Sequence, residues 1–149
     1  MDSPKVVPIR FVDTQGNPLP GPTKDPLASI PVMDVFLTSP DGSKANRIHC
    51  VALVDTGADT CIVPKHLVEK VGAIRGEEVQ QNTASGSSRI YLAKTVIFFP
   101  SFLCDFTTDV SAVDYVGSPA YQMVIGRTFL HHGRLVMDYP KGVFEWHAP

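Results

Sequence analysis

Short apolar runs alternate with clusters of Gly, Pro, Asp, Asn and Ser along almost the whole chain, a pattern that predicts many short strands. Residues 6–12 (VVPIRFV) form a short apolar stretch. Residues 13–29 follow as a turn-rich segment with prolines at 18, 20, 22 and 26, expected as an exposed arm. The run IPVMDVFL at 30–37 reads as a strand closed by the turn SPDGS. Residues 46–54 (NRIHCVALV) read as a second strand whose apolar end should be buried on both faces. Residues 65–71 suit one or two helical turns stopped by Gly72. Extended segments at 77–81 and 90–99 are joined by NTASGSSR, read as a hairpin tip in which Gly86 is free to take positive φ. Residues 102–113 and 121–125 are further strands, and RTFLHHG at 127–133 is a brief helix with Gly133 as its stop. The end of the chain reads as strand, Pro-Lys-Gly turn and strand. About eight strands and two short helices make a mostly β domain, built as a small closed barrel or a pair of packed sheets.

Composition narrows the partners more than the fold. The 149 residues suffice for one core, and 44% apolar with 19% charged residues argues against a disordered chain. Thirteen Lys and Arg against fifteen Asp and Glu leave a formal charge of −2, with no basic surface for nucleic acid or an anionic membrane. No apolar run approaches the length of a membrane span, and MDSPKVVPIR lacks the apolar core of a secretory signal, so a cytoplasmic protein is expected. Cys50, Cys61 and Cys104 are too few and too irregular for a disulfide framework or a metal site, which predicts reduced thiols, with Cys61 inert. His131 and His132 are adjacent on the expected helix, about 100° apart, and no acid is spaced to join them. Neither a metal nor a cofactor is expected.

The candidate chemistry lies where the apolar strand VALV runs into Asp55-Thr56-Gly57-Ala58-Asp59-Thr60. An acid at the end of a buried strand, followed by a turn of small residues, is oriented by the backbone and suited to acid–base work. Gly57 lets another group approach the carboxylate, and Thr56 offers a hydroxyl that can bond backbone across an interface. The tripeptide alone is weak, because most such triplets are turns in which Asp accepts a nearby N–H. Asp13-Thr14-Gln15-Gly16, set in the Pro-rich arm with no long buried strand before it, reads as such a turn.

A second element follows about seventy residues later in Met123-Val124-Ile125-Gly126-Arg127, an apolar-apolar-Gly step leading into the short helix. Together with Val54-Asp55-Thr56-Gly57-Ala58-Asp59, it resembles the retropepsin-type aspartic proteases over about residues 30–146. Ala58 is similar to the retroviral-like branch rather than the pepsin branch, and the tail FLHHGRLVMDYPKGVFEW resembles bacterial and other cellular members. The resemblance implies an arm at 1–29 and a protease domain at 30–149. It implies Asp55 as the catalytic acid with Thr56 and Gly57, supported by Ala58, Gly126 and an Asp59–Arg127 ion pair, bidentate and partly buried near the subunit contact. The hairpin tip Ala84-Ser85-Gly86-Ser87 occupies the position of the flap that closes on substrate. One chain carries one Asp-Thr-Gly, so the implied unit is a homodimer acting on a polypeptide. Two rivals go with this reading: a non-catalytic dimerisation or peptide-binding module, and a zymogen whose arm fills the cleft.

Overall fold

A computed structural model describes residues 5–41, 46–83, 86–114 and 116–149. The chain opens with β1 (Val6–Pro8), β2 (Arg10–Val12) and β3 (Pro18–Leu19), followed by β4 (Ile30–Thr38), β5 (Ile48–Val54) and β6 (Cys61–Pro64). Helix α1 (Lys65–Val71) precedes the long strands β7 (Ile74–Thr83), β8 (Gly86–Phe99) and β9 (Phe102–Val113). Then come β10 (Met123–Ile125), α2 (Arg127–Leu130), β11 (Arg134–Asp138) and β12 (Val143–His147). Among the described residues, no helix is long and apolar enough to cross a membrane.

These strands form two sheets. One has the order β1-β12-β11; the other has nine strands in the order β3-β2-β4-β5-β10-β6-β9-β8-β7, with an added pairing of β4 to β8. The apolar run at 6–12 therefore divides: Val6–Pro8 pairs with β12 in the small sheet, and Arg10–Val12 pairs with β4 in the large one. The expected exposed arm is tied down in part, because Pro18 and Leu19 pair with Val12 and Phe11.

Several expectations change in detail. Strand β5 alternates, with Cys50, Ala52 and Val54 buried while Val51 and Leu53 are only half-buried, so its apolar end is covered fully on one face. Strand β6 was not foreseen; its four residues are too short to announce themselves by periodicity. The hairpin is longer than the sequence pattern implied, and Gly86 and Ser87 belong to β8, opposite Thr83 and Asn82. Gly86 does take a positive φ of 128°. Gly72 ends α1 in the left-handed region at φ 73°, as expected. Gly133 plays a different part. Helix α2 ends at Leu130, its cap His131 is right-handed, and a Cβ at 133 would stand 2.6 Å from the Trp146 ring. That glycine is there because the His147 carbonyl and the Trp146 indole together leave no room for a side chain.

Trp146 is fully buried and anchors the main core, its ring 4.5 Å from Phe129 and 5.4 Å from Phe106. Its indole N–H donates to the Leu130 carbonyl at 3.3 Å, which satisfies a polar atom that burial would otherwise strand.

Candidate active site

Strand β10 lies between β5 and β6, parallel to the first (Ile125 beside Val54) and antiparallel to the second (Val124 beside Ile62). The connection from β5 to β6, residues 55–60, must therefore pass around the end of β10. It does so at Gly126. A Cβ there would stand 2.6 Å from the Thr60 carbonyl carbon and 2.8 Å from the Ala58 oxygen, so only glycine fits. Backbone bonds close the wrap: Asp55 N–H donates to Ile125 O at 3.0 Å, Arg127 N–H to Ala58 O at 2.9 Å, and Thr128 N–H to Asp59 O at 3.2 Å.

Asp55 sits at the start of this turn, half-buried, and its Oδ1 accepts the Gly57 N–H at 2.9 Å. Thr56 and Gly57 are exposed, and Ala58 is half-buried. The carboxylate is thus oriented by its own turn while one side stays open. Arg127 ties helix to turn as expected, but not as a bidentate pair. One guanidinium nitrogen bonds the Asp59 carboxylate and the other donates to the Thr56 carbonyl at 2.8 Å. The expected partial burial is also absent in the single chain, where the side chains of Arg127 and Asp59 are 54% and 86% exposed.

Beneath the turn lies a support that sequence reasoning missed. Thr128 Oγ1 accepts the Cys61 N–H at 3.1 Å and donates to Asp109 O at 3.0 Å, while the Gly126 N–H points at Cys61 Sγ, 3.4 Å away. Cys61 is fully buried, and burial pushes its thiol pKa up, so the sulfur acts here as a weak acceptor rather than a nucleophile. All three cysteines are free. The sequence marked Cys61 only as an inert thiol and gave no sign of Thr128 beside it.

A cleft of about 390 Å³ opens beside the turn. Residues 57–60 with Ile62 and Ser111 form one side; Val79, Gln80, Gln81, Ile90 and Leu92 of the β7–β8 hairpin contribute the other. Of the expected flap tip, Ala84 and Ser85 lie outside the described residues. Gly86 and Ser87 do not line the cleft, and Ser87 Oγ instead accepts the Gln80 amide N–H at 2.9 Å. No residue of 13–29 lines it either.

Structural comparison decides what this arrangement is similar to. No sequence family and no curated protein sequence matches the chain. A solved structure of EIAV protease, complexed with the inhibitor HBY-793, aligns with a TM-score of 0.51 at 19% identity, covering 77% of this chain and 100% of the other. A retropepsin-like aspartic protease from Rickettsia conorii aligns with a TM-score of 0.58 at 13% identity, covering 99% of this chain and 97% of the other. The chain has the retropepsin-like fold. With that fold spread over nearly the whole chain, the small β1-β12-β11 sheet belongs to the matched unit and is not an appendage.

Asp13 and the adjacent His131 and His132, the other residues the sequence raised for chemistry, are elsewhere and otherwise engaged. Asp13 accepts the Gln15 and Asn17 N–H groups and the Asn17 amide, bonds that hold its carboxyl below the usual range and make it a turn residue. His131 Nδ1 lies 2.8 Å from Arg127 O, while the His132 ring packs 5.6 Å from that of Phe106, where partial burial lowers its pKa. Among the described residues, no group of three or more His, Cys, Asp or Glu is placed to hold a metal.

Proposed function

We propose that the chain is an aspartic endopeptidase, active as a homodimer in which Asp55 and its counterpart from a second copy form one catalytic pair. The observation that carries this reading is Asp55 itself: a carboxylate oriented by the Gly57 N–H, held by the wrap around Gly126, and open on one side. The nearby Asp59 is paired with Arg127, so Asp55 is the acid of this turn that has no cation beside it among the described contacts. Peptide hydrolysis by two aspartates needs a pair that shares one proton, one member drawing a proton from water while the other protonates the scissile carbonyl. That logic is taken from the aspartic-protease class in general. A two-fold axis beside Asp55 supplies the second acid, and the exposed Thr56 and Arg127 then lie toward the partner.

In this reading residues 30–149 form the catalytic domain, and residues 1–29 form the N-terminal strands and Pro-rich arm. Thr56 and Gly57 complete the catalytic turn, with Ala58, Asp59, Gly126 and Arg127 as its support. The substrate is a polypeptide laid extended between the 57–60 turn and the β7–β8 hairpin, whose tip at 84–87 closes over it. The pairing of Pro18–Leu19 with β2, away from the cleft, supports an arm that does not block the site.

The test is cleavage of a denatured casein-like protein across acidic to neutral pH by the wild type, Asp55→Asn and Asp13→Asn. Wild type and Asp13→Asn should cleave at similar rates while Asp55→Asn is folded and inactive. Peptide binding by the wild type without cleavage at any pH would favour the rival reading, a non-catalytic peptide-binding module.

A further inference from the structure

The cleft has a floor that its position alone does not require. Ser111 of β9 lies beside Ile62 of β6 on one flank and Leu92 of β8 on the other, and all three line the cleft as one row across three strands. The row reads apolar, polar, apolar. Ser111 is only 5% exposed, and a hydroxyl buried there is costly unless it is bonded. Its partner is Thr60, with Thr60 Oγ1 and Ser111 Oγ 2.7 Å apart. Each hydroxyl carries one proton and two lone pairs. The mutual bond uses one proton, so the pair holds a second O–H and unused lone pairs beside the apolar Ile62 and Leu92, in a cleft that Asp59, Gln80 and Gln81 also line.

We propose that this hydroxyl pair determines specificity: the cleft selects a substrate side chain that ends in an uncharged amide, asparagine or glutamine. The inference rests on the endopeptidase reading above and goes on to name the side chain that this half of the site takes. An amide matches the pair in both senses, its carbonyl accepting the free O–H and its NH₂ donating to a lone pair. A lysine has donors only and leaves the free O–H unmatched. An acidic side chain has acceptors only, so it matches the free O–H but leaves the lone pairs unmatched, and it gives up its hydration on entering. A leucine fills the space but buries the hydroxyls without a partner, and it is this last cost that produces discrimination.

The experiment uses full-length Asp55→Asn protein, which separates binding from turnover, and fluorescent peptides in which each position of an apolar host carries Asn or the near-isosteric Leu. At one position Asn should bind at least about tenfold more tightly than Leu, the equivalent of one unmatched buried hydrogen bond. Adding Thr60→Val and Ser111→Ala, which keep the shape and remove the hydroxyls, should reverse the preference to Leu. Equal affinities at every position, an Asn preference that survives loss of both hydroxyls, or no binding of any peptide overturns the inference. Casein cleavage by the wild type is measured beside it. Cleavage with equal affinities sinks the specificity alone, whereas an Asn preference without cleavage sinks the protease reading alone.

Discussion

Gly126→Ala should be among the most damaging single-methyl additions the fold can suffer. The backbone at 126 is extended, at φ −108° and ψ −168°, so alanine meets no conformational strain and the cost is purely steric. The new Cβ would lie 2.6 Å from the Thr60 carbonyl carbon and 2.8 Å from Ala58 O, against comfortable separations of roughly 3.5 Å. Both obstacles are backbone, so no side chain can rotate away, and the 55–60 turn must move by about 1 Å. Overpacking of this kind costs about 1–3 kcal/mol, and the absence of a soft neighbour puts the value at the upper end. The same movement stretches the Arg127 N–H bond to Ala58 O and the Gly126 N–H contact with Cys61 Sγ, adding about 1–2 kcal/mol. A total of about 3–5 kcal/mol is a large share of the stability of an ordinary domain. Trp146, the only tryptophan and fully buried, reports unfolding by fluorescence in urea. The control is Gly21→Ala, where a Cβ meets nothing within 4 Å and the change should stay within about 0.5–1 kcal/mol of wild type. If Gly126→Ala loses under about 1 kcal/mol at an unchanged urea slope, the turn is not clamped on β10 as argued.

Two further predictions concern charged ties. Arg10 holds Asp34 through two bonds of 2.8 and 3.0 Å, with His49 adding a third at 2.9 Å, and these keep the Asp34 carboxyl below its ordinary value, Arg10 first. The stabilisation is therefore present above about pH 4 and lost as pH falls through the lowered value. With both side chains more than a third exposed, Arg10→Gln should cost under about 1 kcal/mol at pH 6 and less at pH 3; a gap that widens on acidification contradicts this. Arg127→Gln, at an exposed pair, should cost under about 1 kcal/mol in dilute protein yet depress cleavage severely, because Arg127 holds the Thr56 carbonyl beside Asp55. A loss of stability with full activity would contradict it.

What the sequence disclosed follows from how local each cause is. Strand β9 is as long as its apolar pattern, and α1 stops where Gly72 permits a left-handed turn; neither needs a distant partner. Asp55 and Gly126 were legible because the acid turn and the glycine that it wraps are both written as short motifs. Their supports were not. Cys61 and Thr128 are 67 positions apart and Thr60 and Ser111 are 51 apart, and only the β6–β9 and β6–β10 pairings bring them together. Gly133 misled for a related reason: a glycine after a helix reads as a cap, and nothing local reveals the His147 carbonyl and Trp146 ring pressed against it. The division of residues 6–12 between two sheets is likewise a tertiary decision, since the same apolar run serves either sheet.

The central claim is that one active site needs Asp55 from two chains, and mixing tests it most directly. Wild type and Asp55→Asn are combined after dissociation at rising proportions of the variant, and cleavage is measured per wild-type chain. If the pair spans two copies, mixed dimers are dead, and activity per wild-type chain falls to about half in an equal mixture and to about a tenth with ninefold excess of the variant. Activity per wild-type chain that stays constant across the series would mean that each chain cleaves alone, and the account of Asp55 as half of a shared pair would be wrong.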